Sequence, residues 1–135
     1  GPEANEVYTG QSGIKAKTDY AFKDIDANDY DGMLIPGGWA PDKLRRYPEL
    51  LDIVRKMNEA GKPIGTICHA GWVLVSADVL KGRKVTSTPA IQDDMKNAGA
   101  EWVDEEVVVD GNFISSRRPD DLPVYAKTYA DKLAE

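Results

Sequence analysis

Short apolar runs alternate with helical patterns along most of the chain. Met33–Ile35 and Ile64–Ile67 are runs of three and four mainly apolar residues. Pro36–Gly37–Gly38 stops the first run, and a helical pattern follows the second. Short runs of this kind are typical of buried parallel strands. A third and weaker strand candidate is "KVTS", at positions 84–87.

Four segments place apolar residues on one helical face. The longest has a proline in its first turn, is followed by Gly61 and Pro63, and has Leu44 and Leu51 on its apolar face. The second is apolar on most sides, which predicts a largely buried helix. The predicted helices span about Pro41–Ala60, His69–Leu80, Ile91–Ala98 and Asp120–Leu133.

The two ends of the chain add a hairpin and an irregular region. "EVVVDGNFIS", positions 106–115, has strand-forming residues on both sides of Asp110–Gly111, a pair that favours a tight hairpin turn. Gly1–Gly13 is predicted to be a loop, and Ile14–Phe22 a short strand. Asp24–Asp31 carries four aspartates, but the glycine and closing glutamate of a calcium loop are missing. A solvated acidic loop is the preferred interpretation.

The order of elements predicts the fold class. Strands that alternate with helices indicate an α/β layer fold with a mostly parallel sheet. A length of 135 residues suits one domain, residues 1–135, and is sufficient for a hydrophobic core.

Composition narrows the possible partners. The net charge of −6 argues against binding to a nucleic-acid backbone, which needs a clustered positive surface. No apolar run is long enough to span a membrane, and no dinucleotide or Walker motif is present, so we expect no membrane contact, no cofactor and no metal. The single cysteine cannot form an internal disulfide, which is compatible with a cytoplasmic setting.

The only cysteine and the only histidine are adjacent, at Cys68 and His69. Cys68 follows a predicted strand and precedes a predicted helix, which is the position of a nucleophile elbow. A helix N-terminus favours a thiolate, and the His69 backbone N–H could hold an oxyanion. The alternative is a buried, inert cysteine. The His69 ring can reach the sulfur only if the turn is bent; otherwise it is a polar surface or supporting histidine.

Three stretches carry a family resemblance that covers nearly the whole chain. "PGGWAP" (36–41), "ICHAGWVLVSADVLKGRKVTS" (67–87) and "DGNFISSRRPDDLP" (110–123) closely resemble the PfpI/ThiJ family of the class I glutamine-amidotransferase-like superfamily. The resemblance implies a flavodoxin-like α/β sandwich. It also implies an intracellular cysteine peptidase, a protein or nucleotide deglycase, or a glutathione-independent glyoxalase. Several members are stress proteins, and they form dimers or hexamers.

The resemblance also implies roles for individual residues. Cys68 matches the nucleophile, His69 the histidine that follows it, and the backbones of Gly38 and His69 the oxyanion donors. Asp42 stands where the peptidase-like branch has a glutamate that orients the histidine of a neighbouring subunit. Because aspartate is one methylene shorter, the third member of that triad is in question.

Three further residues are substrate-binding candidates. Gly37 and Trp39 flank Gly38, and Trp39 is expected at the mouth of the site, or alternatively packed against the next helix. Arg117 lies in a motif that the family places near the site. It could meet a carboxylate or an adduct of the substrate, or alternatively form a surface salt bridge.

The chain also departs from the family. Members begin with a strand, a loop whose glutamate contacts the cysteine, a helix and a second strand, and this sequence begins after them. We therefore expect exposed strand edges and apolar helix faces. A fragment of a longer protein is the preferred explanation. The alternatives are a segment supplied by another chain and a degenerate domain.

The functional hypothesis is a cysteine-dependent enzyme that acts on glyoxal, methylglyoxal or their protein adducts. One alternative is a peptidase with an intersubunit Cys68–His69–Asp42 triad. Another is a non-catalytic redox sensor or holdase. The expected partners are further copies of the chain and a small aldehyde or a protein or peptide substrate.

Overall fold

The computed structural model describes residues 1–135, and strands and helices alternate along it. The strands are β1 (Val7–Thr9), β2 (Lys15–Lys17), β3 (Met33–Ile35), β4 (Ile64–Ile67), β5 (Lys84–Val85), β6 (Glu101–Trp102), β7 (Val107–Asp110) and β8 (Phe113–Ser116). The α-helices are α1 (Ala40–Leu44), α2 (Pro48–Glu59), α3 (Gly71–Ala77), α4 (Gln92–Asn97) and α5 (Leu122–Leu133). Short 3-10 turns lie between several of them.

The main sheet has four strands in the order β3–β4–β8–β7. β3, β4 and β8 run parallel, with Ile64 opposite both Met33 and Phe113. β7 pairs antiparallel with β8 and forms the predicted hairpin, with Gly111 at positive φ in its turn. Two smaller pairs complete the strands: β1 with β2, and β5 with β6. The α/β class with a mostly parallel sheet and a C-terminal hairpin and helix is confirmed.

Helices cover the sheet on both faces. One face packs against α2, α3 and α4 and forms a core of 16 buried residues that includes Ile64, Phe113 and Val54. The opposite face packs against α5 through Ile114, Tyr125 and Tyr129. Burial raises the pKa of Tyr125 well above its usual range, in keeping with a phenol packed against the sheet. The result is a three-layer sandwich with Cys68 at the carboxyl end of a strand.

Several predicted boundaries were wrong. The loop predicted for Gly1–Gly13 contains β1, and the strand predicted for Ile14–Phe22 is limited to β2. Because the two strands pair only with each other, their burial pattern is fully exposed and gives little hydrophobic signal. The predicted acidic loop contains a 3-10 turn, Ala27–Asp29, which Asp26 caps by accepting a hydrogen bond from the Asn28 N–H.

The predicted helix from Pro41 to Ala60 is two helices. It breaks before Pro48, because Tyr47, the residue that precedes the proline, is extended. The predicted His69–Leu80 helix begins with a 3-10 turn and ends at Asp78 in a left-handed conformation. The other corrections are smaller: "KVTS" forms only β5, β6 was missed, and α4 and α5 each follow a 3-10 turn.

The outer edge of β3 has no neighbouring strand. Leu34, in the middle of β3, is 58% exposed. An apolar cleft of about 300 Å³ lies near this edge, lined by residues that include Tyr20, Met33 and Ile53. The exposed strand edge was expected from the sequence, whereas the apolar helix residue that lines the cleft, Ile53, is buried rather than exposed. None of the helices is long and apolar enough to cross a bilayer.

Close packing of α5 against the sheet leads to a stability prediction. A methyl group at Gly65 would lie 2.6 Å from the Tyr125 hydroxyl and 2.7 Å from Leu34 Cδ2. We expect Gly65→Ala to lower the free energy of unfolding by about 1–3 kcal/mol because the layers must separate. Urea unfolding measures this change. Gly10→Ala is the control, since its methyl group would meet only the Ile14 carbonyl oxygen, at 3.4 Å. Equal losses in the two variants would contradict the packing argument.

Candidate active site

Cys68 lies directly after β4 in a left-handed backbone conformation. Its φ is +61°, a region that residues other than glycine rarely occupy and that costs about 1–2 kcal/mol. Its carbonyl oxygen accepts a hydrogen bond from the Thr88 N–H at 3.2 Å. A 3-10 turn, residues 68–70, and α3 follow without interruption. This is the sharp strand-to-helix turn of a nucleophile elbow, and it leaves the cysteine partly exposed.

The bent turn brings the two adjacent side chains together. Cys68 Sγ and His69 Nδ1 are 3.3 Å apart. Adjacent side chains usually point apart, so this contact depends on the left-handed conformation of Cys68. Nδ1 can accept a proton from the thiol or donate one to the thiolate, which is the relationship of a nucleophile and its base.

The loop after β3 packs against the cysteine. A methyl group at Gly37 would lie 2.8 Å from Cys68 Cβ and 3.6 Å from Sγ, so the close approach requires glycine. Gly38 follows with φ of +71°, and its N–H donates to no acceptor within the protein. The His69 amide, in the first turn after Cys68, also precedes the first intrahelical bond and lacks a helical partner. These N–H groups are suitable for an oxyanion beside Sγ.

Aromatic rings surround the imidazole. The His69 ring centroid is 5.5 Å from that of Trp39 and 5.1 Å from that of Trp72. Trp39 is 70% exposed, so it lies at the mouth of the site rather than buried against the next helix. Trp72 is held at its edge, where its indole N–H donates to Asp94 Oδ2 at 2.9 Å. The rings leave the imidazole little freedom to turn away from the sulfur.

Asp42 lies in α1 but does not hydrogen-bond to His69. Its carboxylate accepts a hydrogen bond from Arg46 Nη2 at 2.7 Å, in an exposed ion pair one helical turn apart. Within one chain, Cys68 and His69 therefore form a pair without a third member.

The Arg117 guanidinium forms salt bridges with two carboxylates. Its Nε and Nη2 donate to the two oxygens of Asp121, at 2.9 and 3.1 Å, and its Nη1 donates to Asp104 at 2.9 Å. The hydrogen bonds to Asp121 and then to Asp104 raise the pKa of Arg117. The same bond from Arg117 holds the pKa of the Asp121 carboxyl below its usual range, although burial opposes this shift. The structure thus gives Arg117 the salt bridges that were the alternative to substrate binding.

Two clefts lie away from the cysteine. The apolar cleft beside β3 is described above, and a polar cleft of about 470 Å³ is lined by residues that include Arg55, Lys81 and Arg83. The lining of neither cleft includes Cys68. No group of three or more His, Cys, Asp or Glu side chains is arranged to hold a metal ion. Cys68 is itself partly exposed, so the candidate chemistry centres on the surface around the thiol.

Comparison with known proteins assigns this arrangement to a family. The family model described as "DJ-1/PfpI family" matches residues 1–132. The chain belongs to the DJ-1/PfpI family.

DJ-1/PfpI relatives of known name include archaeal deglycases. The chain is 46% identical over 140 residues to Deglycase TK1284 of Thermococcus kodakarensis, covering 97% of this chain and 84% of the relative. It is 47% identical over 127 residues to Deglycase PfpI of Pyrococcus furiosus, covering 94% of this chain and 76% of the relative.

Solved structures show the same DJ-1/PfpI fold. A two-domain protein from Anabaena variabilis, with DJ-1/ThiJ/PfpI-like and ferritin-like domains, matches with a TM-score of 0.96 and 40% identity. The match covers 98% of this chain and 38% of that longer one. DJ-1 of Schizosaccharomyces pombe, at 20% identity, shares the fold with a TM-score of 0.86.

Some side-chain contacts at this DJ-1/PfpI site could have been predicted from residue spacing in the sequence, and others could not. Trp72 follows His69 by three residues, so the two share a helical face, and that spacing could have predicted their contact. The bond from Trp72 to Asp94 and the bond from Thr88 to the Cys68 carbonyl join segments about 20 residues apart. No local pattern predicts such contacts.

Backbone strain at Cys68 leads to a prediction about stability. We expect Cys68→Gly to be more stable than Cys68→Ala by about 1 kcal/mol, because glycine adopts positive φ without a clash. The gain exceeds the conformational entropy that glycine adds to the unfolded chain. Urea unfolding of the two variants measures the difference. A more stable alanine variant would show that the turn is not strained.

The ion pair of Arg117 with Asp121 leads to a prediction about pH. Because the folded-state pKa of Asp121 is lowered, its contribution to stability is fully present above its unfolded pKa of about 4. That contribution is lost as the pH falls through the folded value. We expect the free energy of unfolding of the parent chain to fall towards that of Asp121→Asn on acidification below about pH 5.

Denaturant unfolding between pH 7 and pH 2 tests this expectation. Asp131→Asn is the control, because Asp131 pairs with Lys127 and is 65% exposed. A difference between the parent chain and Asp121→Asn that stays constant over this range would contradict the assignment.

Proposed function

We propose that this protein is a cysteine-dependent enzyme that acts on glyoxal, methylglyoxal or the adducts these aldehydes form with proteins, as a glyoxalase or deglycase. The observation that carries the proposal is the 3.3 Å contact between Cys68 Sγ and His69 Nδ1 on a strained turn. The relatives named deglycases support the choice of substrate class.

The first step is addition of the thiolate to the aldehyde carbon. A carbon–sulfur bond forms, and the electron pair of the carbonyl π bond moves to oxygen. The backbone N–H groups of Gly38 and His69 would stabilise that oxyanion. The His69 imidazolium then gives its proton to the oxygen, which yields a neutral hemithioacetal and a neutral imidazole ready to act as a base.

The later steps use the same base. For methylglyoxal, His69 would remove the proton from the hemithioacetal carbon and return it to the neighbouring carbonyl carbon through an enediol. The product is a thioester, which water hydrolyses to a hydroxy acid and the free thiol. The reaction adds one water and no net electrons, and it needs no cofactor. For an adduct, the Cys68 sulfur would replace the protein's amine or thiol on the same carbon, and the proton that His69 took from Cys68 would pass to that leaving group. The same hemithioacetal forms, and the unmodified amine or thiol is released.

The openness of the site supports both kinds of substrate. Cys68 is partly exposed, and Trp39 beside it is 70% exposed. A small aldehyde can enter such a site, and an adduct on the surface of a larger molecule can also approach it. A deep pocket would admit only the small aldehyde.

The test is turnover of methylglyoxal by the parent chain and by Cys68→Ser. We expect the variant to lose at least 100-fold in kcat/KM, because the hydroxyl is a far weaker nucleophile near neutral pH. Loss of aldehyde is followed with methylglyoxal in large excess over protein, so that simple capture by the thiol is not counted. Full activity in Cys68→Ser would overturn the proposal.

Product analysis separates the two activities. Formation of lactate from free methylglyoxal identifies a glyoxalase. Release of unmodified amine or thiol from an adduct, faster than the adduct decays spontaneously, identifies a deglycase. His69→Gln is a second variant, in which addition without turnover is expected.

A peptidase is the second candidate, and the same Cys68–His69 contact favours it. Such an enzyme would need Asp42 of a neighbouring subunit to orient His69, and Asp42 is bound to Arg46 within its own chain. Cleavage of a casein-type substrate that is lost in Asp42→Asn, by a protein that is oligomeric, would support this activity. Cleavage by a strictly monomeric protein would exclude the intersubunit triad.

A further inference from the structure

Arg45 is a half-buried cation that has no carboxylate partner. Four other arginines, Arg46, Arg55, Arg83 and Arg117, have a nitrogen between 2.6 and 3.5 Å from an aspartate oxygen. Arg45, at the C-terminal end of α1, forms no such pair. A cation that is partly removed from water without a counter-ion calls for an explanation.

The Arg45 guanidinium is nevertheless held in a defined position. Its Nε donates to Ser76 Oγ at 2.8 Å, and its Cζ lies 5.5 Å from the centroid of the Trp72 ring. The hydrogen bond to Ser76 uses only the Nε–H. The cation–π interaction with Trp72 fixes the orientation of the guanidinium plane. Neither terminal nitrogen of Arg45 donates to an acceptor within the protein. The group therefore presents the planar fork that binds carboxylates.

The position of Arg45 relative to Cys68 is defined by a row of side chains. The guanidinium lies over Trp72, the Trp72 ring is 5.1 Å from the His69 ring, and Nδ1 of His69 is 3.3 Å from the sulfur. The exposed Trp39 ring completes this row. An elongated molecule attacked by the thiol could lie along the rings with its far end at Arg45.

Nearby carboxylates do not neutralise Arg45. Asp42 is paired with Arg46, and Asp94 accepts a hydrogen bond from the Trp72 indole on the edge of that ring. Arg117, a substrate-binding candidate from the sequence with a salt bridge as its alternative, is held by two aspartates.

We propose that Arg45 binds a carboxylate carried by the molecule that Cys68 attacks, so that the site prefers electrophiles with an anionic group beyond the reacting atom. The substrate class follows: carboxylate-bearing adducts of small aldehydes react faster than their neutral counterparts. This choice of substrate rests on the proposed function, whereas the binding of an anion beside the thiol does not.

The direct test compares two thiol reagents on the protein as it exists. 5,5′-Dithiobis(2-nitrobenzoate) carries a carboxylate on each aromatic ring, and 4,4′-dithiodipyridine is a neutral aromatic disulfide. The Cys68 thiolate attacks one sulfur, a mixed disulfide forms, and the other half leaves as a thiol or thiolate. Because the chain has one cysteine, each second-order rate constant reports on this site alone.

The ratio of the two rate constants measures anion preference. We expect Arg45→Gln to lower this ratio about five- to tenfold, the effect of losing one partly screened charge–charge hydrogen bond. Arg118→Gln is the matched control, because it removes the same charge from an exposed arginine that forms no ion pair, and the expected change is less than twofold. An unchanged ratio in Arg45→Gln, or equal losses in the two variants, would overturn the proposal.

A second variant keeps the proposal testable if the first one is unfolded. If Arg45→Gln does not fold, Arg45→Lys carries the test, since lysine keeps the charge but loses the planar fork. The expected loss in the ratio is two- to threefold, and an unchanged ratio would overturn the proposal.

A turnover experiment addresses the substrate class separately. It compares kcat/KM for the methylglyoxal adducts of N-acetylcysteine and of its neutral amide. A five- to tenfold preference for the acid that disappears in Arg45→Gln supports the proposal, and no preference overturns the substrate class. If neither adduct is turned over but the reagent ratio behaves as expected, the proposed function fails and the anion site stands.

Discussion

The left-handed backbone of Cys68 is the constraint on which the site depends. At φ of +61° the chain turns sharply from β4 towards α3, and the sulfur and the neighbouring imidazole come within 3.3 Å. An extended or right-handed residue at this position would not give the same turn. The cost of about 1–2 kcal/mol is met by the sheet on one side and by the Thr88 hydrogen bond on the other.

Close packing around that turn fixes its neighbours. Gly37 lies against the cysteine where a methyl group would not fit, and Gly65 in β4 is similarly close to Tyr125 of α5. The same strand that is held between the helical layers therefore ends in the proposed nucleophile, Cys68. Trp39, Trp72 and Arg45 then extend the site outward from His69 along the surface. In the proposed function, reactivity would depend on the rigid strand and the choice of substrate on the side chains around it.

Features with a periodic pattern could be predicted from the sequence. The apolar runs predicted β3 and β4, and the Asp110–Gly111 pair predicted the hairpin. The position of Cys68 between a strand and a helix predicted the sharp turn on which it lies. The β1–β2 hairpin was missed because its side chains are all exposed and carry no burial pattern. The break at Pro48 was overlooked because the apolar spacing continued through it, although proline disfavours a helical conformation in the residue before it.

Contacts between distant segments explain the remaining differences. The attachment of Arg45 to Ser76 and Trp72 joins α1 to α3, and the pairs of Arg117 join the C-terminal turn to the loop before β7. Sequence spacing assigns a charge to a region but not to a partner. For this reason Arg117 was a candidate for binding an anion, with a salt bridge as its alternative, and Arg45 was recognised only from the three-dimensional arrangement.

The central claim is that one thiol, Cys68, carries the reaction. The chain offers a direct measurement because it has no other cysteine. Samples are alkylated to different extents with iodoacetamide, the modified fraction is determined by intact mass, and residual methylglyoxal turnover is measured on each. Our account predicts a straight line that reaches zero activity at one label per chain. Activity that persists in fully labelled protein would contradict it.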